Sequence, residues 1–163
     1  MAGDCVNVEP GTYTAGATIA HGGSSATSSG YVVYRCTTMD ACTITNPNLG
    51  LGVHSAGTGP SHVIFDGFAM RATSEATYGA GYELYNSNCP GSACANIGSH
   101  YWILNSIISG YGQSGFSGCC ADFVYVLHNT FYNNASAAGC DGGAQGRSRL
   151  GNFNVAASGI KYY

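Results

Sequence analysis

The chain has 163 residues, of which 45% are hydrophobic and only 8% charged, with a net charge of −3. Soluble domains usually carry about 25% charged residues, so this surface must be covered by Ser, Thr, Asn, Gly and Tyr; the abundant aromatic and β-branched residues exclude a disordered chain, which combines low hydrophobicity with high net charge. Five Lys and Arg in the whole chain form no basic stripe to release counterions from phosphates, which argues against nucleic acid as a partner, and no apolar run is long enough to span a bilayer.

Met1-Ala-Gly-Asp4 has neither the basic start nor the apolar stretch of a signal peptide. From there, apolar and β-branched runs split by Gly, Ser, Asn and Pro predict strands near 5–8, 17–21, 31–37, 42–45, 51–54, 62–70, 82–85, 101–109, 123–132 and 158–163. No stretch keeps apolar residues at helical spacing for three turns. The expected fold is therefore all-β with almost no helix.

One phrase recurs along these strands: Tyr31-Val-Val-Tyr-Arg-Cys36, His62-Val-Ile-Phe-Asp-Gly67, Tyr101-Trp-Ile-Leu-Asn-Ser106 and Val124-Tyr-Val-Leu-His-Asn129. Each is an apolar run that ends in a polar residue. Aligned on those ends, with Cys5-Val-Asn-Val-Glu-Pro10 at the head, they make a column of Glu9, Arg35, Asp66, Asn105 and His128. Self-similarity at unequal intervals of roughly 20–40 residues is the mark of a solenoid with loops of variable length. The phrase continues past its polar residue, as in Asp66-Gly-Phe-Ala-Met70 and His128-Asn-Thr-Phe-Tyr132. Each coil then holds two strands joined by a sharp corner, plus a third strand such as Leu51-Gly-Val-His54 or Tyr82-Glu-Leu-Tyr85. Parallel neighbours lie about 4.8 Å apart, so the polar column is expected to be a corner ladder of alternating charge that satisfies turn backbone groups. A catalytic or calcium-binding row is the competing reading.

Eight cysteines point to an oxidising, extracellular or cell-surface setting. Cys36 with Cys42 and Cys89 with Cys94 are local candidates for disulfides. Vicinal Cys119 and Cys120 cannot easily bond to each other without strain, so one of them, Cys120 being the candidate, with Cys140 is the preferred long pair, and Cys5 and the other vicinal cysteine are left over. The Cys-x2-Cys spacings of structural zinc are absent, so no metal site is expected from the cysteines.

Val8-Glu-Pro-Gly-Thr-Tyr13, His62-Val-Ile-Phe-Asp-Gly-Phe68, Leu104-Asn-Ser-Ile-Ile108 and Leu127-His-Asn-Thr-Phe131 resemble the opening coils of right-handed parallel β-helix proteins of the pectate-lyase-like superfamily. The resemblance implies a three-strand solenoid of roughly five coils over residues 1–163. It implies fold more than activity, because lyases, glycoside hydrolases, adhesins and phage tailspikes share such phrases. The amphipathic helix that usually caps the first coil is not seen ahead of Gly3-Asp-Cys-Val6, and Ser158-Gly-Ile-Lys-Tyr-Tyr163 reads as the start of a further coil. A single domain that begins and ends abruptly is expected, either an N-terminal piece or a short version.

Alternation leaves two inward phases open. Val32, Val63, Trp102 and Tyr125 fall in one set with Tyr34, Phe65, Leu104 and Leu127, and Val33, Ile64, Ile103 and Val126 in the other. Both sets are apolar, as in parallel strands buried on both faces.

The resemblance places a substrate groove over the third-strand face, where His54, Glu83, Tyr85 and Lys161 are the polar and aromatic residues; the plain alternative is a solvated sheet face. Trp102 is a further sugar-stacking candidate, although a place in the core or a half-covered stripe suits it better. Lyases of this superfamily use an Arg or Lys base, with Ca²⁺ often neutralising a uronate carboxylate. Arg71, Arg147, Arg149 and Lys161 are the available bases beyond Arg35, while Asp40, Asp66, Asp122 and Asp141 are isolated in sequence. Paired carboxylates for a hydrolase are represented only by Glu75 with Glu83. His21, His62 and His100 read as turn residues, and Asn134-Ala-Ser136 is a glycosylation sequon. No catalytic residue is assigned. Two functions follow: a secreted β-helix that binds or acts on polysaccharide, or a structural protein whose coils stack end to end into a filament.

Overall fold

The computed structural model describes residues 3–24, 30–74, 76, 79–86, 98–118, 121–134, 151–153 and 161–162. Sixteen strands and no helix occur among them. In chain order these are β1 (Cys5–Val8), β2 (Gly11–Tyr13), β3 (Ala17–Thr18), β4 (Val32–Cys36), β5 (Cys42–Ile44), β6 (Leu49–Ser55), β7 (Val63–Asp66), β8 (Phe68–Arg71), β9 (Ala80–Asn86), β10 (Gly98–Leu104), β11 (Ile107–Ser109), β12 (Ser114–Gly118), β13 (Ala121–Leu127), β14 (Thr130–Tyr132), β15 (Gly151–Phe153) and β16 (Lys161–Tyr162).

Every third strand returns to the same sheet. The first sheet runs β1-β4-β7-β10-β13-β16, the second β2-β5-β8-β11-β14 and the third β3-β6-β9-β12-β15. All pairings are parallel. This is the strand order of a three-strand solenoid, in which each coil supplies the hydrogen bonds its neighbour lacks.

The inner face is continuous along the stack. Val63, Phe65, Tyr101, Ile103, Val124 and Val126 of the first sheet meet Phe68, Met70 and Ile108 of the second and Val53, Tyr82, Leu84 and Phe116 of the third. Each such side chain removed from water contributes about 1.5–3 kcal/mol, and together they offset the loss of chain entropy along an otherwise loop-rich fold. Buried tyrosines need partners: Tyr82 shares a hydrogen bond with Ser106 Oγ at 2.9 Å, and the Tyr101 hydroxyl donates to the Pro60 carbonyl. Burial holds the phenols of Tyr82, Tyr101 and Tyr111 well above the ordinary tyrosine range.

The inward phase mixes the two sets. Val32, Val63 and Phe65 point in, but so do Ile103 and Val126, while Trp102 and Tyr125 are half-buried on the outside. The cause is register: Trp102 pairs with Ile64, and Leu104, not Asn105, pairs with Asp66. A one-residue shift exchanges the two faces of a strand. It goes with the residue ahead of three of the runs, since His62, His100 and Phe123 all have positive φ, at 58°, 64° and 50°, and occupy one column. Alignment on the polar ends ignored this left-handed residue.

Between the second and third sheets lies a glycine column. Gly50, Gly81 and Gly115 sit between flanking residues that pair with one another, Leu49 with Ala80 and Leu51 with Tyr82, then Ala80 with Ser114 and Tyr82 with Phe116. A Cβ at Gly81 would lie 2.5 Å from Ile108 Cγ2 and 2.8 Å from the Gly115 carbonyl oxygen, and one at Gly115 would lie 2.3 Å from Phe131 Cδ1. Only glycine lets the two sheets meet here. The same feature makes β12, Ser-Gly-Phe-Ser-Gly, read as a break in sequence although it is a paired strand.

Cys36 and Cys42 form a disulfide with Cα atoms 5.7 Å apart, closing the loop between β4 and β5. Cys89, Cys94, Cys120 and Cys140 lie outside the described residues, and Cys5 is a free, exposed thiol. Asn134 of the sequon is fully buried, its amide donating to the Ile108 carbonyl at 3.0 Å while its oxygen accepts from Tyr111 N–H at 3.1 Å.

Candidate functional site

The outer face of the third sheet gathers three of the five residues singled out for sugar binding. On β6 and β9, Val53 and Leu84 point into the core, so strand alternation turns His54, Glu83 and Tyr85 outward. Tyr85 lies directly opposite His54 in the ladder, and Glu83 lies opposite Gly52. With no side chain at Gly52, the diagonal from His54 to Glu83 is open. His54 Nε2 stands 2.7 Å from Glu83 Oε2, and the His54 and Tyr85 rings meet edge to face with centroids 5.7 Å apart.

The pair fixes the imidazole chemically. An ionised carboxylate only accepts hydrogen bonds, so Nε2 must carry the proton, and neutral His54 is left with Nδ1 as an acceptor. Glu83 is thereby partnered while His54 keeps about a third of its side chain exposed. Tyr85 is 40% exposed and offers an aromatic surface with a polar tip.

His54 also forms part of the wall of a cleft of about 590 Å³. Its other walls are the segment Thr18–Gly23, which follows β3, and the loop with Thr58, Gly59, Pro60 and Ser61. The two walls are tied together where Gly23 N–H donates to the Ser61 carbonyl at 2.8 Å. His21 stands in this cleft, a placement that its sequence context as a turn residue did not reveal. The lining mixes hydroxyl, imidazole and backbone groups, which can donate to and accept from sugar hydroxyls, with the apolar side chains of Ile19, Ala20 and Pro60.

No family model matches the chain, and neither a curated protein nor a solved structure matches it. Function therefore has to be argued from the geometry.

Trp102 and Lys161 belong to a different face. Both lie on the first sheet, in a register row running Val33, Ile64, Trp102, Tyr125 and Lys161. The Trp102 ring stacks on Tyr125 with centroids 4.3 Å apart and planes 21° from parallel, and its Nε1 donates to the Tyr31 hydroxyl at 3.2 Å. Rings stacked along the coil axis cover each other's faces and turn their edges to solvent, so the face of Trp102 against Tyr125 is not free for a sugar.

The polar column resolves into two short segments. Arg35 lies opposite Asp66, as aligned, but Asn7 rather than Glu9 lies opposite Arg35. Glu9 accepts from Thr37 Oγ1 at 3.4 Å. Asn105 and His128 share one left-handed corner, with φ of 50° and 56°, following the paired Leu104 and Leu127. Asn105 bridges the step, its Nδ2 donating to Asp66 Oδ1 at 2.8 Å.

Among the described residues no three of His, Cys, Asp and Glu converge as metal ligands. Calcium takes six to eight oxygens, and the described donors do not fit it. The described cations lie on other sheets: Arg35 is on β4 and Lys161 on β16 of the first sheet, and Arg71 is on β8 of the second, donating to Tyr132 at 3.1 Å. Arg147, Arg149, Glu75 and Asp141 lie outside the described residues. No helix among the described residues is long and apolar enough to cross a membrane.

Proposed function

We propose that the chain is a right-handed parallel β-helix of about five coils, akin to the pectate-lyase-like superfamily, which is secreted and binds polysaccharide on its third-sheet face. The observation that carries the reading is the His54–Glu83 pair beside exposed Tyr85 at the rim of the cleft. Polar groups held in fixed orientation next to an aromatic surface are what sugar rings require. The disulfide and the charge-poor surface accord with an extracellular setting. Binding rather than lyase chemistry is favoured, since the described Arg and Lys lie on other sheets and a base must come within hydrogen-bond reach of the proton it removes. Affinity electrophoresis against a polysaccharide panel tests this, with Tyr85→Ala expected to lose the retardation that the native chain shows.

A second reading, coils stacking end to end between copies, is favoured by an apolar pit of about 170 Å³ lined by Val8, Tyr13, Ala17, Ile19, Tyr34 and Leu51, among others. The β1–β3 edges beside it invite strand addition. Light scattering and electron microscopy decide this one: a monomer without filaments rules it out.

A further inference from the structure

We infer that the polysaccharide taken by the third-sheet face is uncharged rather than a polyuronate, an inference that rests on the binding role proposed above. The chain has only five Lys and Arg. Three are accounted for on the first and second sheets, at Arg35, Arg71 and Lys161. Among the described residues, β3, β6, β9, β12 and the cleft walls contain neither Lys nor Arg.

Among the described residues the face carries one carboxylate, Glu83, already matched by His54 at 2.7 Å. Ser117 follows Glu83 in the ladder, and Thr18 precedes Gly52. Ser55, Thr58 and Ser61 line the cleft. A polyuronate brings one carboxylate per sugar, and each needs a cation or its own hydration shell. Among the described residues of this face it would meet a like charge and hydroxyl groups, and no Lys or Arg to partner the carboxylates. A neutral glycan presents only hydroxyl and ether oxygens, and these match Ser and Thr hydroxyls, the acceptor Nδ1 of His54 and the Tyr85 ring. The acidic net charge of −3 adds long-range repulsion of a polyanion at low salt.

The test is affinity electrophoresis and calorimetry at pH 7.5 and low salt on the full chain. The probes are a β-1,4-glucan, a galactomannan and a homopolygalacturonan. At least one neutral polymer is expected to bind at least tenfold more tightly than polygalacturonan. The Tyr85→Ala variant, checked for native melting, should lose that binding. Glu83→Lys, which puts a cation at the centre of the face, should raise polygalacturonan retention. Polygalacturonan bound as well as or better than every neutral polymer overturns the inference while leaving the glycan-binding role intact. Retention of none of the three overturns both. Neutral binding that survives Tyr85→Ala unchanged also overturns the inference, since the recognising surface then lies elsewhere.

Discussion

The imidazole rings of His62 and His100 lie face to face, with centroids 4.6 Å apart and planes 8° from parallel. The stack continues through Phe123, 4.9 Å beyond His100, and Tyr31 meets His62 from the other side edge to face. Burial, and then the nearby charge of His100, lowers the His62 pKa below the usual histidine value. The unfolded chain therefore takes up this proton before the folded chain does. Stability is full above about pH 6.5, falls as pH drops from there through the lowered folded value, and then levels. Urea melts between pH 8 and 5 should show this loss, and His62→Asn, which tolerates the same positive φ, should flatten it. Equal slopes in the two proteins would sink the assignment.

The glycine column makes a separate prediction. At Gly81 an added methyl meets Ile108 Cγ2 and the backbone oxygen of Gly115, and a backbone atom held in a sheet cannot step aside. Overpacking of this kind costs about 1–3 kcal/mol. Gly81→Ala should lower the melting temperature by roughly 3–10 °C in a domain of this size. Gly57, whose Cβ position meets nothing within 4 Å, is the control and should melt close to the native chain as Ala.

Asn134 carries a prediction of both stability and modification. Its buried amide serves Ile108 and Tyr111 in the preceding coil at once. Truncation to Ala strands a carbonyl and an N–H, at about 1–3 kcal/mol for each unmet group, so a loss of about 2–5 kcal/mol in chemical denaturation is expected. The same contacts use the nitrogen that a glycan would occupy. Folded protein made in a glycosylating host should therefore show an unmodified Asn134 by mass spectrometry, despite the sequon.

The Cys36–Cys42 bridge closes a short loop whose ends are both buried. Chain-entropy reasoning gives about 2 kcal/mol for a loop of this length. Replacing both cysteines by Ser should lower the melting point by roughly 4–8 °C, with the burial of two hydroxyls adding to the loss. An unchanged melting point would show that the β4–β5 loop holds itself without the bridge.

Much of the fold was legible because a solenoid repeats its physics in its sequence. The apolar runs at 5–8, 31–37, 62–70, 101–109 and 123–132 coincide with paired strands of the first two sheets. What was hidden has two causes. Register depends on the left-handed residue ahead of three of the runs, and Phe123 shares the backbone conformation of His62 and His100 but not their residue type. β2 and β12 carry too few apolar residues to stand out, since Gly115 is needed for close approach and neighbouring coils supply the pairing. In the site, His54, Glu83 and Tyr85 were singled out through the resemblance, which directs attention to the third-strand face. Lys161 was grouped with them although it lies on β16 of the first sheet, because nothing local in a solenoid says which of three sheets a cation will join.

The last prediction separates the roles within the site. If Glu83 serves to hold the His54 ring with Nδ1 facing outward as an acceptor, then Glu83→Gln keeps the shape but weakens that orientation, because an amide can donate as well as accept. His54→Ala removes the acceptor itself. Tyr85→Ala removes the stacking surface altogether. The expected order of glycan affinity is native, then Glu83→Gln, then Tyr85→Ala and His54→Ala, with the first step about two- to fivefold. His54 and Tyr85 are exposed, so none of these variants should move the melting temperature by more than a few degrees. A Glu83→Gln variant as weak as His54→Ala would instead mean that the carboxylate touches the glycan directly.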